Sequence, residues 1–166
     1  MPVPSFEEIT PEYIERLLQD RVPENFHLDY KEILEDKPQE FAKDISSFAN
    51  TEGGLILYGI AEEKKITGQS TATPKSPPPG ITGLNLDTLG RKYANWLEDC
   101  TDLVIRGFRQ KVVSVGDKDI LAIRIARSIS APHAVHNGGQ GVRFWKRREY
   151  GAFTPMALEV KSMFLE

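Results

Sequence analysis

The sequence predicts an α+β fold, a single domain in which a mixed, mostly antiparallel sheet is packed by three to four helices. Helical periodicities and short β runs follow one another in the order α-β-α-β-β-α-β-β-β-α, and this order implies a mixed sheet with helices on it. A chain of 166 residues suffices for one sizeable core but not for two. We therefore expect one domain over residues 1–166, with an N-terminal helix at 5–20 and a core at 24–164.

Two helix-start signals open the chain and are followed by a strand. Ser5-x-x-Glu8 has capping-box spacing, and Thr10-Pro11 places proline in a first turn. In the strand, apolar side chains alternate with polar ones: Phe26, Leu28 and Tyr30 against His27, Asp29 and Lys31. The strand therefore has one dry face and one charged face.

Residues 41–60 form the central unit of the predicted fold. Phe41, Ile45 and Phe48 recur at helical spacing. A polar turn containing Asn50 and Thr51 then leads into the helix-stopping pair Gly53 and Gly54. The apolar run at 55–60 is too short to span a membrane and suits a buried central strand.

The second half begins with a hairpin turn into a short strand at Ile66-Thr67. Residues 68–83 are rich in proline and glycine, which predicts a long mobile loop, either a functional flap or a disordered insertion. Asn85 or Asp87 caps the next helix. Two β runs, 103–115 and 119–127, form a hairpin. Residues 131–133 and 137–141 are loop, a strand covers 142–147, and Thr154-Pro155 starts the last helix.

Composition excludes several classes of protein. Cys100 is the single cysteine, so an internal disulfide and a cysteine-built zinc site are excluded. The sequence has no Walker-type phosphate loop and no G-x-S-x-G nucleophile motif. Because no signal peptide or membrane-length apolar segment occurs, we expect a cytoplasmic protein with no membrane partner. The chain ends directly after a helix, which suggests a piece of a longer protein with a further C-terminal domain.

Charge is unevenly distributed along the chain. The net charge is -3, yet residues 1–50 hold 12 Asp/Glu against 5 Lys/Arg, and residues 102–150 hold 10 Lys/Arg against 4 Asp/Glu. This asymmetry predicts a basic surface contributed by the second half. The alternative is that the opposite charges pair across the fold.

One candidate site combines carboxylates with a lysine. The carboxylates of Glu24 and Asp29 could hold a divalent metal while the ammonium group of Lys31 stabilises phosphate charge, and Glu62 or Glu63 could supply a third carboxylate. The cation would be Mg²⁺ or Mn²⁺. The alternative is a solvated strand face with a local ion pair.

A second candidate site is the basic strand near the end of the chain. Alternation places Arg143, Trp145 and Arg147 on one face, with Lys146 and Arg148 close by, a pattern suited to phosphates and a stacked base. Further cations extend this surface along neighbouring strands: Arg106, Arg109, Lys111, Arg124 and Arg127. The alternative is that Trp145 is a core residue. His133-x-x-His136 lacks a third ligand, and we interpret it as ordinary loop.

These segments resemble the Schlafen-type AlbA domain. The resemblance is carried by LDYK at 28–31, SSFANTEGG at 46–54 and LILYGI at 55–60. Later landmarks also fit: Thr67-Gly68, Ser130-Ala131-Pro132-His133, the basic strand and Thr154-Pro155-Met156. The resemblance covers residues 24–164.

The resemblance implies nucleic-acid binding, described for the family as DNA binding, often in an N-terminal module of a larger transcription regulator or ATPase. Similar vertebrate domains cleave structured RNA with three carboxylates, which here correspond to Glu24, Asp29 in place of the more usual Glu, and Glu62 in place of a typical Asp. Our first hypothesis is a binding module that uses the basic strand, with Lys31 and the turn at 50–54 nearby. Our second is a metal-dependent ribonuclease, and a third is a structural domain that forms a homodimer.

Overall fold

The computed structural model describes residues 2–63, 72–149 and 151–166. Within these residues the helices are α1 (Pro11–Gln19), α2 (Pro38–Ala49), α3 (Leu86–Cys100) and α4 (Ala157–Leu165). The strands are β1 (Leu28–Lys31), β2 (Gly54–Tyr58), β3 (Glu62–Glu63), β4 (Thr73–Pro74), β5 (Thr101–Asp102), β6 (Phe108–Val115), β7 (Lys118–Ile125), β8 (Ala134–His136), β9 (Val142–Phe144), β10 (Lys146–Arg148) and β11 (Gly151–Phe153). None of the helices in these ranges is long and apolar enough to cross a membrane.

The main sheet has the strand order β1-β2-β7-β6. β1 runs parallel to β2, and the pairs β2–β7 and β6–β7 are antiparallel. Smaller antiparallel sheets join β3 to β4, β10 to β11, and β5, β8 and β9 to one another. The predicted α+β class, with a mixed and mostly antiparallel sheet, is confirmed.

The strand β2 is an interior strand of the main sheet, and every residue in it is buried. Its alternating side chains divide the core in two, since successive residues of a strand point to opposite faces. Leu55 and Leu57 pack with α1 on one face, whereas Ile56 and Tyr58 pack with α2 and α3 on the other. The prediction of a buried central strand after an amphipathic helix is confirmed.

The first helix is shorter than the expected range 5–20. Ser5 and Glu8 do bond reciprocally, as in a capping box, but they close a separate turn. Thr10 is extended and caps the helix that begins at Pro11, its Oγ1 accepting from the Tyr13 N–H at 3.2 Å. Ile9, only 1% exposed, anchors the break in the core.

The proline-rich segment was expected to be a mobile loop, and its described part, 72–83, is docked instead. β4 pairs with β3, the Gly80 N–H donates to the Gly59 carbonyl at 2.9 Å, and the Ile81 N–H donates to the Asp119 carbonyl at 2.8 Å. Residues 68–71, the predicted strand at 66–67 and the landmark Thr67-Gly68 lie outside the described residues. The 103–127 hairpin is confirmed, and Asn85 is the cap of α3, accepting from the Thr88 N–H at 3.1 Å.

The predicted strand at 142–147 is two strands. β9 pairs with β8, in a stretch predicted to be loop, and β10 pairs with β11 in a different sheet. The break falls at Trp145, whose carbonyl accepts a hydrogen bond from the Asn50 side chain at 2.9 Å. This long-range bond interrupts the alternation that the sequence suggested.

Candidate functional site

Three carboxylates from separate parts of the chain converge beside β1. Glu24 precedes β1, Asp29 lies within it, and Glu62 begins β3; each offers an oxygen within 4.8 Å of the others. β1 and β2 are parallel neighbours, so the chain that leaves β2 for β3 passes the end of β1. Among the residues of 2–63, 72–149 and 151–166, this carboxylate cluster is the one group of three or more metal-binding side chains so arranged.

The carboxylate cluster concentrates negative charge in a partly buried place. Burial, the carboxyl groups of Asp29 and Glu62, and the charge of Asp29 raise the pKa of Glu24 to about 10, against the opposing Tyr30 N–H, which donates to Glu24 Oε1 at 2.9 Å. Burial also pushes the pKa of Asp29 upward, but the contact with Glu24 and the charges of Lys31 and Arg147 outweigh it and hold that pKa below its ordinary value. Without a cation, Glu24 therefore carries the proton and Asp29 the charge.

Lys31 lies between two buried carboxylates. Its Nζ is 3.5 Å from Asp29 Oδ2 and 3.3 Å from Asp44 Oδ2. Burial alone would lower the pKa of Lys31, but Asp44 and Asp29 raise it, so the ammonium stays charged. Lys31 and Glu62 also line a cleft of about 360 Å³, which gives the region access to solvent.

Asp44 was missed by the sequence reasoning. It is 8% exposed, and burial raises its pKa to about 6 although the charge of Lys31 opposes the rise. A signal was present, because Asp44 follows Phe41 by three residues and so falls within the apolar stripe of α2. A carboxylate in an apolar stripe indicates a buried cationic partner.

Arg147 does not lie on the predicted basic surface; it is only 3% exposed. Its Nη1 is 3.6 Å from Asp29 Oδ2, and its Nη2 donates to the carbonyls of Asn25 and Leu28 at 3.3 Å each. The guanidinium also lies 4.4 Å from the centre of the Phe48 ring. The expectation that Arg147 faces outward with Arg143 is corrected, because the break at Trp145 turns β10 over.

The remaining cations of this segment do face outward. Arg143 and Arg148 are exposed and Lys146 is half-buried, and within the described ranges none of the three has a carboxylate partner within 4.0 Å. We call these three residues the basic segment. Trp145 packs against the core beneath Lys43, whose Nζ is 4.8 Å from the ring centre, so the core alternative holds for this side chain.

The cations of β6 do not extend the basic segment. The basic segment lies on β9 and β10 of the smaller sheets, whereas β6 is an edge strand of the main sheet. Residues 4–7 occupy this region: Glu7 pairs with Arg109 at 3.5 Å, and the Phe6 carbonyl accepts from Lys111 at 2.6 Å. Arg124 Nε likewise donates to the Pro4 carbonyl, Arg127 pairs with Glu166, and Arg106 is exposed before β6. Four of the five cations predicted to extend the basic segment are therefore engaged by residues 4–7 or by Glu166.

The polar turn after α2 is a structural clamp. Asn50, 3% exposed, donates to the carbonyls of His133 and Trp145 and accepts from the His133 N–H. Thr51 Oγ1 accepts from the Arg147 N–H at 2.9 Å. Gly53 has φ +77°, and a Cβ there would lie 2.6 Å from a backbone oxygen, so only glycine fits. At Gly54, a Cβ would lie 2.8 Å from the His27 carbonyl.

The histidines of the 131–136 stretch have partners within the chain, and among the described residues neither belongs to a group of three or more converging metal-binding side chains. His133 is buried and bonds to Ser128, and His136 pairs with exposed Asp102 at 2.6 Å.

Comparison with known proteins finds one matching family and solved structures of similar fold. A model of the Schlafen, AlbA_2 family matches residues 24–152. The fold is similar to the N-terminal domain of an ATP-dependent DNA helicase RecG-related protein from Nitrosomonas europaea (16% identity, 80% of this chain and 84% of that one, TM-score 0.56). It is also similar to the DIP2311 protein from Corynebacterium diphtheriae (18% identity, 95% of this chain and 28% of that one, TM-score 0.55). No curated protein gives a significant match. The chain belongs to the Schlafen, AlbA_2 family.

Proposed function

We propose that this chain acts on nucleic acid and that its carboxylate cluster holds a divalent cation, Mg²⁺ or Mn²⁺, for cleavage of RNA. The observation that carries the proposal is the convergence of Glu24, Asp29 and Glu62 within 4.8 Å. Carboxylate oxygens are the ligands that Mg²⁺ and Mn²⁺ prefer. The pKa of Glu24, raised to about 10 by burial and by its carboxyl neighbours, indicates a crowding of negative charge that a divalent cation relieves.

The chain's own residues have separate tasks in this proposal. Asp29 and Glu62 would present carboxylate oxygens to the cation, and Glu24 would become the third ligand after losing its proton to solvent. Lys31, held 3.5 Å from Asp29, places a fixed positive charge beside the cluster for a phosphate oxygen. A bound cation would supply charge for the phosphoryl group and lower the pKa of a bound water.

Cleavage assays test the proposal. Structured RNA is incubated with the wild type in Mg²⁺ or Mn²⁺, with a DNA duplex in parallel, and products are separated on gels. Glu24→Gln with Asp29→Asn removes two charged ligands while nearly conserving volume, so cleavage should be abolished. Glu63→Gln is the matched control, because Glu63 pairs with Arg21 and is outside the cluster. Cleavage that survives the double substitution would contradict the proposal.

A second candidate function is nucleic-acid binding without cleavage, as a DNA-binding module of a regulator. The observation that favours it is the outward-facing basic segment, which lacks acidic partners within the described ranges. Fluorescence anisotropy with labelled DNA and RNA over a salt series measures it, because each phosphate contact steepens the salt dependence. Absence of binding at low salt would remove this candidate.

Two further expectations have their own tests. Light scattering on the same samples tests whether the chain forms a homodimer. If residues 1–166 fold as one domain, denaturation should show a single unfolding transition.

A further inference from the structure

We propose that Arg147 is a positioning residue of the carboxylate cluster and not a nucleic-acid contact. This inference rests on the proposed cation site. It is carried by the partners of the guanidinium: Asp29 is a member of the cluster, and Asn25 and Leu28 bound the turn between Glu24 and Asp29.

The turn between the two carboxylates is closed by its own backbone, and the Glu24 N–H, the His27 N–H and the His27 carbonyl have further partners. The Asn25 N–H donates to the Leu28 carbonyl at 3.1 Å, and the Leu28 N–H donates to the Asn25 carbonyl at 3.2 Å. Arg147 Nη2 reaches both of these carbonyls from outside the turn. Its planar fork therefore contacts the turn and the Asp29 carboxylate at the same time, which fixes the spacing of two ligands.

The burial of Arg147 fits positioning better than phosphate contact. The side chain is 3% exposed, one face of the guanidinium lies on Phe48, and within the described residues its buried Nε has no acceptor. A group that met a phosphate backbone would need solvent access. The position instead matches an outer-shell partner of a metal ligand, a role in which substitution lowers metal affinity by about 10–100-fold.

The polar turn after α2 sets Arg147 in place from the other side. Thr51 Oγ1 accepts from the Arg147 N–H at 2.9 Å and donates to the Ser47 carbonyl at 2.7 Å. Asn50 holds the neighbouring Trp145 carbonyl. The turn thus connects α2 through β10 to the cluster, which gives its polar residues a function without contact with substrate.

The test compares Arg147→Met with Arg148→Met, a neighbouring arginine that is exposed. Mn²⁺ binding is measured by electron paramagnetic resonance. Arg147→Met should raise the dissociation constant for Mn²⁺ about 10–100-fold, and Arg148→Met should leave it unchanged. Arg147→Lys should restore only part of the affinity, because an ammonium cannot span two carbonyls and a carboxylate as a planar fork does.

Two further readouts separate positioning from a general structural role. Arg148→Met should lower the salt slope of nucleic-acid binding by about 1, whereas Arg147→Met should leave the slope unchanged. Amide hydrogen exchange at residues 25–31 should accelerate in Arg147→Met and not in Arg148→Met. If Arg147→Met does not fold, Arg147→Lys carries the same comparisons.

Wild-type Mn²⁺ affinity in the Arg147→Met variant, or a salt slope reduced as much as in Arg148→Met, would overturn the inference. If the wild type binds no Mn²⁺, the proposed function fails, and hydrogen exchange at 25–31 alone decides whether Arg147 fixes the turn. Unchanged exchange there would overturn the positioning role as well.

Discussion

The carboxylate cluster and the basic segment are both rich in charge, and they differ in burial and in partners. Asp29 and Arg147 are 7% and 3% exposed, and each has specific neighbours at measured distances. Arg143 and Arg148 are exposed and have no carboxylate within 4.0 Å among the described residues. Buried charges determine geometry because each needs its partner, whereas exposed charges act through a screened, additive field. Substitutions in the two regions should therefore have different consequences.

The largest effect expected of a single substitution is the loss of Lys31. Lys31→Met leaves Asp44 buried without its cation and removes one of the two cations on Asp29. Breaking a buried ion pair costs about 3–5 kcal/mol, and the 28% exposure of the Lys31 side chain places the expected loss at the lower end of that range. The matched control, Lys146→Met, should change the free energy of unfolding by less than about 0.5 kcal/mol. Urea denaturation measures both, and equal losses would erase the distinction between the regions.

The second effect is on the pH dependence of stability without metal. The pKa of Glu24 is raised from 4.5 to about 10 in the fold, so its favourable contribution is complete below about pH 4.5 and is lost as pH rises towards 10. The free energy of unfolding should fall over this window by at most about 1.4 kcal/mol per pH unit. Asp44, with its pKa raised to about 6, adds to the fall only at the acidic end, and the lowered pKa of Asp29 acts oppositely in acid.

Urea denaturation at pH 5, 7 and 9 in a chelating buffer measures this dependence. Glu24→Gln should flatten it, and the surface substitution Glu63→Gln should not. A wild-type stability that rises from pH 5 to 9 would contradict the assignment of the proton to Glu24.

A smaller effect on stability is expected at Thr51, in the polar turn after α2, whose hydroxyl bonds to the Arg147 N–H. Thr51→Val removes the acceptor of the Arg147 N–H and a donor to the Ser47 carbonyl, at a cost of about 1–3 kcal/mol. Thr51→Ser keeps the hydroxyl and should cost less. Thermal unfolding of the pair measures the difference, and equal melting temperatures would show that the hydroxyl is not needed.

The smallest effect on stability belongs to the basic segment. Arg143→Ala and Arg148→Ala should each change the free energy of unfolding by less than about 0.5 kcal/mol. Each should nevertheless lower the salt slope of nucleic-acid binding by about 1 if it contacts a phosphate. An unchanged slope in both variants would place the binding surface elsewhere.

Local sequence patterns predicted most of the fold. The periodicity of Phe41, Ile45 and Phe48 and the apolar run that follows predicted the central helix and strand, since both signals depend on near neighbours in sequence. The spacing of Ser5 and Glu8 also predicted a hydrogen bond that the structure contains. The helix α1 nevertheless starts later, at Pro11, after Ile9 is buried in the core. The docking of residues 72–83 depends on Gly59 and Asp119, which no local pattern indicates.

The candidate site was less accessible from sequence. Residue type and spacing proposed Glu24 and Asp29 with either Glu62 or Glu63, and the resemblance to the Schlafen-type AlbA domain selected Glu62. The structure brings Glu24, Asp29 and Glu62 together. The inward position of Arg147 was not predictable, because it depends on a hydrogen bond between Asn50 and Trp145, 95 residues apart. The contacts of Arg109 and Lys111 with residues 4–7 join distant parts of the chain and were likewise not predictable from local sequence.

A Mn²⁺ titration followed by electron paramagnetic resonance tests the central claim most directly, that Glu24, Asp29 and Glu62 together bind a divalent cation. Wild type and Glu63→Gln should each bind Mn²⁺ with the same affinity, and Glu24→Gln with Asp29→Asn should abolish that binding. Circular dichroism spectra that match across the three proteins establish that the comparison concerns folded chains. Absence of Mn²⁺ binding by the wild type, or equal binding by the double variant, would contradict the account.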